Sequence, residues 1–233
     1  MGKERSPSLD NVSLPAHMPV DRDCWFRQLN LSNFVNAFYQ YRDLQSLGEC
    51  KNILIVGPGQ GLGTQTLKWR GYNVKTLDID GKFNPDFVGS VHDMHMFARQ
   101  EFDAVIVSHV LEHLAFPFID RSLSEISRVG RYALIYLPVA GRHFHIRFKP
   151  DLTNFRFDLV LDFYNYLEAP DGVTARYMEK QHFWEVGRRG YRVKDLLKRF
   201  SNYFEVVHHY RNYDWLPSRN FILKSKSLLT IPT

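Results

Sequence analysis

Cysteine is nearly missing from this chain of 233 residues: only Cys24 and Cys50 occur, far apart and without metal-type or redox spacing. A disulfide framework and a cysteine-built metal site are therefore excluded, and two free thiols suit a cytoplasmic location. No apolar run approaches the roughly 20 residues of a membrane helix, so no membrane span is expected. The opening MGKERSPSLDNVSLP lacks the apolar stretch of a secretory signal, and 1–20 is expected to be a flexible tail. Internal repeats and low-complexity segments are absent as well. Charge of one sign is in small excess, +5 at neutral pH. Basic residues are densest in 142–156 and 188–199, but no recognised nucleic-acid module accompanies them, so nucleic acid is not the expected partner. What is present is 44% hydrophobic residues, enough for the core of a single domain over 21–233.

The apolar periodicity changes along that domain. Trp25, Phe26, Leu29, Phe34, Phe38 and Tyr41 recur at helical spacing and predict one or two amphipathic helices in 21–50. The run NILIVG at 52–57 is continuous and β-branched, as expected of a strand buried on both faces. Further strands are predicted at 74–80, near 86–91, at 102–109 and at 131–139, with helices at 62–70 and 111–129. This alternation predicts an α/β fold, a Rossmann-like seven-stranded and mostly parallel sheet. From 141 to 187 the pattern breaks into aromatics, histidines, arginines and prolines with only short helical patches such as 159–167. That stretch is expected to be an acceptor-binding insertion over the mouth of the sheet, between the cofactor half at 51–140 and a closing segment at 188–233. In the latter, helix 193–200 precedes strands at 204–210 and 220–225, too close for a helical crossover and so an antiparallel hairpin.

Chemistry concentrates at the carboxyl ends of the strands. The turn GPGQGLG follows a buried strand and opens a helix, so backbone can approach a ligand beside unpaired helix N–H groups. Asp78 ends the second strand, where a carboxylate can accept from both ribose hydroxyls. Asp80 is its neighbour, and Asp93, after the third strand, is placed either for an adenine amino group or as a helix N-cap. The G-x-G-x-x-G spacing of a pyrophosphate site fails here, because its last position is Leu62 or Thr64. S-adenosylmethionine carries no phosphate and suits an alternating glycine turn better than NAD does.

Taken in order, ILIVGPGQGLG, TLDID, VHDMHMF, FDAVIVSHVLEHL and EISRVGRYALIYLPV resemble the class I S-adenosylmethionine-dependent methyltransferases over about 51–138, and VLEHL resembles the branch labelled methyltransferase type 11. The resemblance implies S-adenosylmethionine as cofactor. Gly57, Gly59 and Gly61 would line its methionine part, Asp78 would take the ribose and Asp93 the adenine edge, with Ser108 and His109 near the sulfonium. Many relatives carry an acid before the first glycine; this chain has Val56, which leaves the cofactor's ammonium without its usual partner. The segment His109-Val110-Leu111-Glu112-His113 also matches the H-x-x-E-H of inverted zinc peptidases. With His109 at a strand end the helical pairing of the two histidines fails, and no metal ligands are assigned to it.

An O-methyltransferase needs a base for its acceptor's proton. His143 and His145 follow the fifth strand and share one side of an extended segment, so they are the expected pair; the same two could instead hold a divalent metal such as Mg2+. His182, Trp184 and Glu185 are expected to close the lid as an aromatic cluster. Aromatics, histidines and arginines over the mouth suit a hydroxyl-rich acceptor such as a saccharide. The alternatives are methylation of nucleic acid or of a small acidic metabolite, or a catalytically silent cofactor-binding module; a homodimer stays open as the assembly.

Overall fold

The computed structural model describes residues 30–150, 156–163, 182–188 and 190–226. The expected tail at 1–20, and the part of the expected helical patch beyond 163, lie outside them. Helix α1 (Leu31–Gln45) starts at a reciprocal cap: the Asn30 side chain accepts from the Asn33 backbone while Asn33 returns the bond to Asn30. The sheet then builds through β1 (Asn52–Val56), α2 (Leu62–Trp69), β2 (Asn73–Asp78), β3 (Phe87–Val88) and β4 (Phe102–Ser108). It is completed by α3 (Ile119–Val129), β5 (Gly130–Pro138), α4 (Val193–Phe200), β8 (Phe204–Arg211) and β9 (Ser218–Ser225). Between β5 and α4 lies a separate pair, β6 (Arg142–Phe148) and β7 (Phe157–Phe163).

The seven-stranded sheet runs β3-β2-β1-β4-β5-β9-β8. The first five strands are parallel, and β9 lies antiparallel between β5 and β8. The expected fold class is therefore the observed one. Strand order reverses at β1 and β4, so their carboxyl ends diverge into the crevice where such sheets bind ligands.

The continuous apolar character of β1 follows from its two buried faces. Leu54 and Val56 join Val105, Val107, Leu123, Ile126 and Trp184 on one side; Ile53 and Ile55 join Ile106, Leu134, Tyr136, Leu44 and Leu67 on the other. Each of those strand residues is at most 3% exposed, so truncating one, such as Ile55→Ala, would cost about 2–5 kcal/mol.

Two expected elements differ. The helix expected over 111–129 begins only at Ile119, after two single 3-10 turns at Leu111–His113 and Phe116–Phe118. Pro117 explains the delay, since it has no N–H to give and its ring clashes with the carbonyl four residues back. The helical patch expected from 159 is instead strand β7, paired antiparallel with β6 from Arg142↔Phe163 to Phe148↔Phe157. The alternation Phe144, Ile146, Phe148 against Leu159 and Leu161 has period two, and the strand period prevails.

Candidate functional site

A cleft opens at the carboxyl ends of β1, β2 and β4, closed on one side by α1. Its floor is the turn after β1. Gly57, Gly59 and Gly61 all adopt positive φ, at 66°, 53° and 78°. This left-handed backbone is glycine's domain, and the resulting bend aims backbone rather than side chains into the cleft. A Cβ on Gly57 would stand 2.4 Å from Val110 Cγ2, so close packing excludes one there. Gly57 and Gly59 line the cleft, and Gly61 caps the start of α2 behind them.

Asp78 lines the cleft from the end of β2, one oxygen accepting from the Asp80 backbone at 2.9 Å. Burial pushes its carboxyl above the ordinary range; the backbone N–H groups of Asp80 and Ile79 pull the other way, and the Asp80 charge adds to the rise. Asp80 itself caps the next turn by accepting from Lys82 N, which is a structural use of that acid.

Asp93 does not join this group. Its side chain is 49% exposed, pairs with His95 at 3.1 Å, and faces a separate depression with Arg121 and Glu125. The cleft wall after β3 is made instead by Gly89, Ser90 and Val91, with Ile79 and Phe83 nearby. A tight turn in which Asp93 N donates to Ser90 O carries Asp93 round to the outside.

At the end of β4, Ser108 and His109 both line the cleft. His109 has φ 55°, an uncommon conformation for a residue other than glycine. It breaks the strand's alternation and turns two consecutive side chains toward one space. Ser108 is hydrogen-bonded to the Asn36 amide of α1 at 3.0 Å. The His109 ring lies against Trp215, centroids 4.7 Å apart, and its Nδ1 stands 3.4 Å from Glu112 Oε1. Its Nε2 is buried and has no hydrogen-bond partner.

His143 and His145 lie elsewhere. Both are on β6, and neither lines the cleft. His143 is exposed. His145 Nε2 is bonded to Asp158 Oδ1 at 2.7 Å, inside a cluster in which Arg147 and Arg156 bind both Asp158 and Asp214. Asp214 in turn accepts from the Tyr39 hydroxyl. The hairpin thus packs on the 213–214 turn beside the mouth, and His145 belongs to that support. Antiparallel pairing carries the segment away from the end of β5.

Sequence reasoning allowed Phe38, Tyr39 and Tyr41 of the N-terminal helix to line the pocket, or to serve as core, and missed the residues of α1 that do line it. Asn33, Asn36 and Gln40 recur at helical spacing and share the face turned to the cleft. Gln40 is 6% exposed, and its Oε1 is buried without a partner, 2.3 Å from where a Cβ on Gly63 would sit. That polar stripe on an otherwise aromatic helix was the available signal. His113 and Trp215 also line the cleft.

The residues fit S-adenosylmethionine: a cradle free of side chains at the first turn, a buried carboxylate at the second strand, and an unpaired amide oxygen at the methionine end. Comparison with known proteins agrees. Residues 54–132, about a third of the chain, match the type 11 family model for a methyltransferase domain. No curated protein sequence matches the chain. Among solved structures, the N-methyltransferase NodS from Bradyrhizobium japonicum, in complex with S-adenosyl-L-homocysteine, superposes with TM-score 0.57 at 11% identity, covering 89% of this chain and 94% of that one. An S-adenosylmethionine-dependent methyltransferase from Clostridium acetobutylicum gives 0.54 at 8% identity, covering 86% and 94%. The 1,6-didemethyltoxoflavin-N1-methyltransferase of Burkholderia thailandensis, with its acceptor and S-adenosylhomocysteine bound, gives 0.51 at 14%, covering 93% and 94%. At these identities the structures speak for the fold, and the matched domain speaks for the chemistry. Residues 54–132 thus match a methyltransferase domain, and the chain adopts the fold of the class I S-adenosylmethionine-dependent methyltransferases.

Proposed function

We propose that the enzyme methylates a hydroxyl of a small polar acceptor, of saccharide type, and that His109 is the base. The carrying observation is the orientation of that ring: Nδ1 faces the buried Glu112 carboxylate, while Nε2 is buried in the cleft with no partner. A carboxylate on Nδ1 favours the tautomer whose Nε2 lone pair can take a proton. An oxygen acceptor has a proton to lose, whereas an amine needs only its neutral lone pair, so this arrangement supports O-methylation over the N-methylation named for two of the structural neighbours.

The remaining assignments follow the cleft. Gly57 and Gly59 admit the methionine part of S-adenosylmethionine, with Gly61 turning the chain into α2 behind them; Asp78 takes the ribose hydroxyls, and Ser90 with Val91 replaces Asp93 at the base edge. Gln40 Oε1 offers the acceptor oxygen for the ammonium that Val56 cannot provide. Bound there, S-adenosylmethionine supplies a methyl group on a sulfonium sulfur that leaves as a neutral thioether. The protein's part is to hold the acceptor oxygen in line and to take its proton on His109 Nε2. Trp215 gives the acceptor an apolar face to lie on.

The test is methyl transfer to a panel of saccharides and amines, comparing wild type, His109→Asn and the double variant His143→Ala/His145→Ala. Asn tolerates the left-handed backbone at 109. Turnover on a hydroxyl acceptor should fall by about 10²–10⁴ in His109→Asn with S-adenosylhomocysteine binding kept. An unchanged rate in that variant, a collapse in the double variant, or exclusive turnover of amines would sink the assignment.

A further inference from the structure

Glu112 is wholly buried, and its carboxylate meets His109 Nδ1 only at the long distance of 3.4 Å. A buried carboxylate so weakly paired is costly by general expectation, so a cation beside it would be stabilising. Burial raises the Glu112 carboxyl, but His109, His113 and His182 around it outweigh burial and hold it below the ordinary range.

A carboxylate oxygen of Glu112, a nitrogen of His113 and a nitrogen of His182 lie within 4.8 Å of one another. The imidazoles of His113 and His182 meet edge to face, centroids 5.0 Å apart. Donors bound about 2.0–2.2 Å from zinc stand at most about 4.4 Å apart, so a small ring rotation closes the set. The backbone brings these residues together deliberately. The 3-10 turn Leu111–His113 places Glu112 and His113 side by side, and Phe183 N donates to Glu112 O at 2.8 Å. Trp184 Nε1 donates to the carbonyls of Leu111 and Leu114, fixing the segment that carries His182. His182 Nδ1 is itself bonded to Glu185 Oε1 at 2.9 Å, and Glu185 is held by Arg188. A histidine whose Nδ1 donates to a carboxylate presents its other nitrogen as a ligand, the usual support of a metal-bound imidazole.

We infer that Glu112, His113 and His182 form a binding site for a divalent ion of the zinc class, open toward the cleft through His113. Two imidazoles and one carboxylate suit Zn2+, or Co2+ in its place, and suit Mg2+ poorly because it prefers oxygen donors. The site is not a peptidase centre: His109 is at φ 55°, off any helix, and the third ligand comes from the insertion. The histidines read from sequence as alternative ligands, His143 and His145, take no part. If the acceptor is a hydroxyl, which rests on the function proposed above, the fourth position of the ion is where its oxygen would bind. Its acidity would rise there and its proton would pass to His109 Nε2.

The test uses the untagged full chain, stripped with chelator and titrated with zinc chloride by calorimetry and with Co2+ by visible absorption, no acceptor being present. One equivalent bound per chain, with a d–d band on Co2+ loading, is expected. His182→Ala and Glu112→Gln should each weaken zinc binding at least tenfold while S-adenosylhomocysteine binding persists. Since Glu112→Gln disturbs a buried residue, His182→Ala alone suffices. Absence of micromolar zinc binding, binding that survives His182→Ala, or binding lost in His143→Ala/His145→Ala instead overturns the site. A wrong acceptor class would leave these titrations unaltered, so the two proposals fail separately.

Discussion

The parallel half of the sheet and the β6–β7 hairpin are built from similar residues and held by opposite means. In β1 and β4 the branched side chains from Ile53 to Val56 and from Ala104 to Val107 are at most 3% exposed, locked between two apolar layers. In the hairpin, Phe144, Ile146, Phe148, Phe157, Leu159 and Leu161 are 40–59% exposed, and attachment comes through Arg147, Arg156, Asp158 and Asp214. Burial fixes geometry independently of solvent conditions, whereas ion pairs are conditional on pH and salt. The parallel half is thus insensitive to pH and salt, and the hairpin is the part they can loosen.

Variants can break or sharpen that contrast. The largest effect is expected from Asp43→Ala beneath the cleft. Asp43 is 2% exposed, accepts from Tyr136 at 2.7 Å and from Tyr210, and pairs with Arg42. Its loss leaves Tyr210 without its acceptor and Tyr136 with only the longer bond to Tyr39 O, and should cost about 3–5 kcal/mol in denaturant unfolding. A fall below about 1 kcal/mol would mean that the polar cluster is dispensable. Next comes Gly57→Ala, where strain at positive φ and the clash with Val110 should weaken S-adenosylhomocysteine binding by about 10–100-fold in calorimetry, equivalent to about 1–3 kcal/mol. Gly59→Ala, strained but unopposed within 4 Å, should lose less. Asp78→Asn should likewise weaken binding by about 10-fold or more, since it removes a charged acceptor.

The hairpin should respond to acid instead. Burial pushes the Asp158 carboxyl up, but hydrogen bonds from Arg147, His145 and Arg156 outweigh it and hold the group at about 2, below its ordinary 3.8. A depressed carboxyl stabilises the folded arrangement above its unfolded pKa and loses that contribution as pH falls. Docking of the hairpin should therefore persist at pH 5 and decay between 3.8 and about 2, as read by Trp215 fluorescence or by the Asp158 carboxyl resonance. Asp158→Asn should remove this step and leave S-adenosylhomocysteine affinity unaltered. Coincident loss of both would show that the two regions are not separable.

The same contrast explains what could be read from sequence. A strand buried on both faces announces itself by an unbroken run, and a glycine turn by its spacing, so the sheet and Gly57, Gly59 and Asp78 were legible. Ser108 and His109 were placed by strand register. Asp93 was not, because a three-residue turn decides which way an acid points and local spacing does not encode it. His143 and His145 followed from adjacency to β5, which says where a segment starts and not where a hairpin carries it. Gln40 reaches the cleft, and His182 reaches His113, only through tertiary folding.

The bonds from Phe183 and Trp184 to the 111–114 turn have a consequence for dissecting the molecule. Three carbonyls of that turn receive donors from the far end of the insertion, and at the end of β5 Ala140 N donates to Val186 O while Val186 N donates to Pro138 O. The stretch 141–187 is therefore not an ornament that can be clipped off to leave a minimal enzyme. Its last residues brace the turn that follows β4. A transplant of this specificity onto another sheet would have to carry 109–114 and 182–188 together, as one piece written in two places.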